Sequence, residues 1–233
     1  MPVELQLERD RAYRGLLELI LGGEVDLDTP LSERKLADSL EIGRTPVREA
    51  LRDLARDGIL EVQPARGTFV RPLTIEDVQE IYEVRHSLEG MAARLAVERG
   101  LTLELKAYGP KFRDMIDDPG AYDPTEIYET GAEFHLEIFR SARNRQLLKI
   151  YEPLRLRFRI AFGLPRYYDH DLICESAKEH LEILEAIEGG DGRTAKRLIR
   201  DHLSKGLEVR TRIFNSLSEH MPNANILNLE HET

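Results

Sequence analysis

The forty-odd residues from Leu31 to Arg71, LSERKLADSLEIGRTPVREALRDLARDGILEVQPARGTFVR, constrain the fold more than any other part of the chain. Their order of signals is helix, tight turn, helix, hairpin. Ser32 is a good N-cap for a helix over Glu33–Leu40, and Gly43 permits a sharp turn after it. Thr45 is the expected cap of the second helix, with Pro46 at its first position, where a missing N–H costs nothing. Val47, Ala50, Leu51 and Leu54 then form an apolar stripe, while Arg44, Arg48, Arg52 and Arg56 recur every four residues along another face. Gly58 stops the helix. Ile59–Gln63 and Thr68–Arg71 have strand composition, and Pro64–Ala65–Arg66–Gly67 joins them as a wing. A short helix that presents arginine from an exposed N-terminal end suits the major groove, where Arg pairs bidentately with guanine. A plain helical hairpin with a solvated charged face explains neither the wing nor the arginine placement.

This stretch resembles the winged helix-turn-helix of GntR-type bacterial transcription regulators. The matching positions are Leu31-Ser32-Glu33-Arg34, Leu36-Ala37, Arg44-Thr45-Pro46-Val47-Arg48-Glu49-Ala50-Leu51, Leu54, Gly58, Gly67 and Val70. Gly43 stands where a serine is usual, a change that weakens a cap or a phosphate contact, and Gly22–Pro30 departs from the usual proline-glycine turn. The resemblance implies DNA contacts from Arg34, Arg44, Thr45, Arg48, Arg66 and Gly67. Arg48 would be a base reader, and Gly67 would let the wing backbone approach the minor groove.

Composition is compatible with such a protein. A chain of 233 residues holds one small and one mid-sized domain, and 41% hydrophobic residues suffice for two cores. No run reaches transmembrane length, Met1–Arg11 is too polar for a signal peptide, and the single cysteine, Cys174, suits a reducing compartment; a cytoplasmic protein with no membrane partner is expected. The net charge of −10 is unfavourable for a DNA binder taken whole. Residues 30–71, however, carry eight Lys or Arg against seven Asp or Glu, so the excess of negative charge lies elsewhere. A near-neutral module with its arginines gathered on one face still neutralises phosphates, while the acidic remainder limits non-specific binding.

Leu5–Leu21 reads as a helix packing behind the helix-turn-helix, through Tyr13, Leu16, Leu17, Ile20 and Leu21. After the Arg71-Pro72-Leu73 junction, Thr74 with Asp77 makes a capping pattern that opens an all-helical region. Helices are expected over 75–99, 102–117, 124–142, 144–162, 168–188 and 192–215, punctuated by Gly100, Asp118-Pro119-Gly120, Asn144, Gly163–Pro165 and Gly189–Gly192. The fold class is therefore mainly α. A winged helix-turn-helix domain with a small β-hairpin (5–72) precedes an all-α bundle (74–215) and a polar tail (216–233).

Three histidines in that bundle lie on apolar stripes. His135 accompanies Tyr128, Gly131, Ile138 and Ala142; His180 accompanies Ile173, Ala177, Leu184 and Ile187; His202 accompanies Ala195, Leu198, Ile199 and Val209. Each needs a buried partner. They are either separately satisfied core residues or joint ligands of one metal, a site that helical bundles readily build. Arg85, on a stripe with Val78, Ile81, Leu88 and Ala92, also points inward. It either forms an internal ion pair, for example with Glu89, or captures a carboxylate effector. His86, His170, His220 and His231 sit on polar stretches and are expected to be solvated, while most of the Arg155, Arg157, Arg159 run is expected to form a solvated or DNA-facing surface, the alternative being that one of these arginines lines the pocket.

Residues 74–215 resemble the effector-binding (FCD-type) bundle of the FadR subfamily of GntR regulators. The traces are Val84-Arg85 with Leu88-Glu89, Phe134-His135 with Asn144, Glu179-His180 through Asp191, and His202. The resemblance implies that His135, His180 and His202 bind a divalent ion, zinc or nickel. An aspartate one turn before the first histidine would normally join them, but that position is Gly131, so a water, another carboxylate or the effector would fill its place. The combined expectation is a homodimeric, non-enzymatic repressor that binds an inverted-repeat operator in double-stranded DNA and responds to a small organic acid. Effector binding would shift the bundle's population, and the Pro72 junction would pass on that bias. The alternatives are direct metal sensing and, further off, metal-dependent hydrolysis in the helical domain.

Overall fold

A computed structural model describes residues 3–22, 24–26, 29–72, 74–161 and 170–220. The protein is mainly α with one small antiparallel hairpin, as the sequence patterns require. Packing divides the chain into two compact units, Met1–Thr74 with Pro153–Gly163 and Leu217–Thr233, and Ile75–Glu152 with Leu164–Ser216.

The first unit contains α1 (Val3–Leu21), α2 (Glu33–Leu40), α3 (Arg44–Arg56), β1 (Leu60–Gln63) and β2 (Gly67–Val70). Ala12, Leu16, Leu17 and Ile20 of α1 share a core with Leu36, Ala37, Val47, Ala50, Leu51 and Leu54, closed by Ile59, Leu60 and Val70. Ser32 caps α2 by accepting from the Lys35 N–H. Two details of the turn differ from expectation. The left-handed residue is Glu41 (φ 53°), whereas Gly43 is extended (φ −61°), so Gly43 does not make the sharp turn. Gly43, not Thr45, is the N-cap of α3, and a glycine has no side-chain acceptor to offer there.

Gly58 ends α3 as expected, at φ 74°. Its N–H reaches the Ala55 carbonyl (3.1 Å) and the Ile59 N–H reaches Leu54 (2.9 Å), which is the double closure of a Schellman motif, with Leu54 and Ile59 both in the core. The hairpin pairs Leu60 with Val70, Glu61 with Phe69, Val62 with Thr68 and Gln63 with Gly67. Pro64 and Ala65 (φ 61°) turn the chain, and Gly67 at φ 124° lies where a Cβ would come 2.7 Å from Pro30 Cβ. Thus close approach to Pro30 and backbone conformation already require the glycine.

The second unit contains α4 (Ile75–Arg99), α5 (Leu103–Lys106), α6 (Tyr108–Asp117), α7 (Pro124–Ser141), α8 (Arg145–Ala161) as far as Glu152, α9 (His170–Glu188) and α10 (Gly192–His220) as far as Ser216. The single helix expected over 102–117 is two helices. Pro110 lacks an N–H and its ring clashes with the carbonyl four residues back, so α5 ends and α6 restarts just before it. Side-chain caps fall at the expected breaks: Asp123 on α7, Asn144 on α8 and Asp191 on α10. The last helix runs five residues past 215; the rest of the tail and the Gly163–Pro165 break lie outside the described residues. Phe112, Phe134, Phe139, Tyr82 and Tyr151 are fully buried, and α7 packs on both α4 and α9. Arg155, Arg157 and Arg159 are half-buried, not solvated, and Arg157 packs against Gly58.

Gly58→Ala tests the α3 closure. A Cβ there is forced into the left-handed region and meets Arg157 at 3.3 Å. A loss of about 1–2 kcal/mol is expected in urea unfolding followed by circular dichroism.

Candidate functional sites

All six residues expected to contact DNA are solvent-exposed: Arg34 on α2, Arg44, Thr45 and Arg48 on the first turns of α3, and Arg66 and Gly67 on the wing. Arg44 and Arg48 are brought together around one carboxylate. Arg48 Nε lies 2.9 and 3.1 Å from the two oxygens of Glu33, and its Nη2 lies 2.8 Å from Oε2. Arg44 Nη2 is 3.7 Å from the same oxygen. The hydrogen bond from Arg48, with the nearby arginine charges, holds the Glu33 carboxyl below its ordinary range. Arg66 instead lies over the Phe69 ring, 5.5 Å from its centroid. The sequence reading missed Glu33. Its only signal was its place in the L-S-E-R motif, because the pairing joins two helices.

In the second unit, α7, α9 and α10 deliver His135, His180 and His202 to one point. His135 Nε2 is 3.1 Å from His180 Nε2 and 3.2 Å from His202 Nε2, and one nitrogen from each ring lies within 4.8 Å of the others. The far side of two of the rings faces a carboxylate. His202 Nδ1 is 2.7 Å from Glu179 Oε2, and His135 Nδ1 makes a close but bent contact with Glu89 Oε2 at 2.8 Å. An imidazole lone pair and a carboxylate would repel at these distances, so both Nδ1 atoms carry the proton. The two Nε2 atoms therefore face each other as lone pairs, an arrangement that needs a shared proton or cation between them. Tetrahedral zinc with N ligands at about 2.0–2.1 Å would separate them by about 3.3–3.4 Å, close to what is seen. The residues present fit a divalent metal by donor type, spacing and outer carboxylates.

Electrostatics favours the neutral, ligating form. Burial, with the neighbouring imidazoles and Arg85, pushes the His180 pKa well below its usual value. Burial also lowers His202, although Glu179 partly opposes it. Arg85 is buried and bonded through Nε to Glu89 Oε1 at 2.6 Å, so it does form the internal ion pair. Burial alone would raise Glu89, but the opposing charge of Arg85, with His135, outweighs it and holds the carboxyl at about 2. Lys205 anchors Glu179 from the outside.

Gly131 corrects one expectation. A Cβ there would sit 2.5 Å from His180 Cε1 and 3.0 Å from its Nδ1. The position offers no open coordination space, because the His180 ring, stacked on Phe112 and flanked by Phe134, occupies it. His86 is half-buried beside Tyr82, not solvated. Sequence reasoning named Glu89 only as a partner for Arg85 and overlooked Glu179 as the His202 partner; both links cross between helices.

Residues 8–70 match the model for bacterial regulatory proteins of the gntR family, and residues 80–205 match the FCD domain. The chain is 30% identical over 186 residues to a probable D-xylose utilization operon transcriptional repressor of Paenarthrobacter nicotinovorans, covering 79% of this chain and 80% of that protein. It is 29% identical over 178 residues to the Nta operon transcriptional regulator of Aminobacter aminovorans, covering 75% and 81%. Its fold is similar to that of E. coli McbR/YncC, with a TM-score of 0.74 at 24% identity over 92% of this chain and all of that one. The chain belongs to the GntR family of bacterial transcription regulators and carries an FCD effector domain. It is a regulator and not an enzyme, which removes the hydrolase reading. Among the described residues no helix is long and apolar enough to cross a membrane.

Acid sensitivity follows from His180 and His202. Their folded pKa values lie below the ordinary 6.5, so the unfolded chain binds more protons as the pH falls. Their contribution to stability is complete above about 6.5 and declines below it. Glu89 adds a second loss between 4.5 and about 2. Chelator-treated protein should therefore melt at a lower temperature at pH 5.5 than at pH 7.5; equal midpoints by circular dichroism would contradict burial of neutral imidazoles.

Proposed function

We propose that this regulator is a ligand-responsive repressor that binds an inverted-repeat operator as a homodimer in the cytoplasm. Residues 5–72 would read DNA, and residues 74–215 would bind the effector and pair the subunits. The observation that carries the reading is the convergence of three histidine Nε2 atoms, two of them backed by carboxylates, inside the FCD domain. A name given to a relative, the D-xylose operon repressor, supports repression as the mode.

In this reading His135, His180 and His202 hold one divalent ion, zinc or nickel, which supplies a Lewis-acidic anchor for a small carboxylate. Glu89 and Glu179 keep the His135 and His202 rings in the Nδ1–H tautomer, presenting Nε2 lone pairs inward. Arg85 supplies positive charge beside the centre, to be shared between Glu89 and the effector carboxylate. On the DNA side, Arg48 reads a base edge, Arg34, Arg44, Thr45 and Arg66 hold phosphates or bases, and Gly67 lets the wing come close. Two copies of a module that touches few base pairs gain affinity and specificity by binding a palindrome.

The engagement of Arg85 by Glu89 favours a second reading, in which metal alone is the signal. Operator binding before and after chelation, with no organic acid present, separates the two. Replacing both His180 and His202 by alanine should reduce metal stoichiometry in native mass spectrometry and elemental analysis, while operator affinity without effector changes less. Full metal content in that variant would make the three histidines ordinary core residues. Arg48→Ala should cost about 1–3 kcal/mol of discrimination between operator and random duplex in fluorescence anisotropy. An unchanged ratio would remove Arg48 as the reader.

A further inference from the structure

We infer that Glu33 is a specificity-determining positioning residue: its carboxylate holds the side edge of the Arg48 guanidinium and so aims the opposite edge at a base. The inference rests on the reading of Arg48 as a base contact. Four of the five N–H donors of a guanidinium form two forks, a side fork of Nε and one terminal nitrogen, and an end fork of both terminal nitrogens. Glu33 occupies the side fork, through Nε at 2.9 and 3.1 Å and Nη2 at 2.8 Å. No described residue takes a hydrogen bond from Arg48 Nη1, so the end fork, which matches guanine O6 and N7, is left open. A carboxylate that merely competed with DNA would take that end fork instead.

Glu33 is itself well anchored. It occupies the first residue of α2, directly after the Ser32 cap, where a negative charge is favoured by the helix N-terminus. Its side chain is only 31% exposed, and Arg44 approaches it at 3.7 Å from the second helix. Arg48 remains 48% exposed. The pair thus restricts a long, flexible arginine before DNA arrives, which lowers the ordering cost of contact. It also carries a negative charge that every phosphate backbone must approach, whatever its sequence. The repulsion acts on operator and random DNA alike, whereas the pre-ordering of Arg48 helps the operator alone and there outweighs it. Glu33 should strengthen operator binding and weaken binding to random DNA.

The test compares wild type with Glu33→Gln, Arg48→Ala and the double variant. The probes are a duplex that wild-type protein selects from a randomised oligonucleotide pool and a scrambled duplex of the same composition. Glu33→Gln should bind the scrambled duplex as well as or better than wild type, bind the selected duplex more weakly, and lower the ratio at least tenfold. In the Arg48→Ala background the same substitution should leave the ratio unchanged. A ratio that stays constant or rises in Glu33→Gln overturns the positioning role, and so does a fall of equal size with Arg48 absent. If Arg48→Ala alone leaves the ratio intact, it is the reading of Arg48 that fails. Melting temperatures of all variants, and repetition with Glu33→Ala, separate aiming of Arg48 from a change in α2 stability.

Discussion

Neither charge of the Arg85–Glu89 pair would be tolerable alone at its place in the FCD domain, since an unpaired buried ion costs several kcal/mol. Together, one helical turn apart on α4, they neutralise each other in the interior. Glu89 then has one oxygen left for His135, which sets the proton on Nδ1 and the lone pair on Nε2. Glu179 does the same for His202, so two acceptor nitrogens face each other where these rings meet His180. The apolar walls from Phe112 and Phe134 add desolvation, which keeps the His180 imidazole neutral. A chain of charge, proton and lone pair thus runs from an i, i+4 ion pair to a site shaped for a cation.

The DNA-binding unit follows a similar logic at its surface. Its core is a small set of aliphatic side chains, and the Schellman closure at Gly58 lets the chain leave α3 directly into the wing without losing Leu54 or Ile59 from that core. The polar consequence is that α2 and α3 meet with Glu33 facing the first turns of α3. Two arginines of that turn are held by one acid, so the slight positive balance of residues 30–71 is presented as ordered guanidiniums. Ordered charge, more than net charge, reconciles an overall −10 with a DNA-binding family.

Much of this was legible in the residues. The cap at Ser32, the helix breaks at Asn144 and Gly189–Gly192, the stop at Gly58 and the two-stranded wing follow from local chemistry, and the helices appear close to where apolar periodicity puts them. The failures were local conflicts. Thr45 has the right chemistry for a cap, yet the helix begins two residues earlier than that cap implies and Gly43 takes its place. Pro110 divides what periodicity alone runs together. Gly131 suggested free space, because a sequence shows a missing side chain but not the neighbour that fills the gap.

What the sequence determined by itself was whatever depends on spacing along one chain: element order, the apolar faces, the inward direction of Arg85, His135 and His180, and the motifs of a GntR regulator with an FCD domain. Tertiary structure alone decided which polar atoms meet across elements. Glu89 with His135, Glu179 with His202, Glu33 with Arg48, and the His180 ring against Gly131 each join residues on different helices, from 15 to 49 positions apart. Hydrogen bonds and ion pairs are short-ranged and directional, so helix packing to within an ångström selects them. Hydrophobic periodicity, which is what a sequence displays, specifies only that the helices pack.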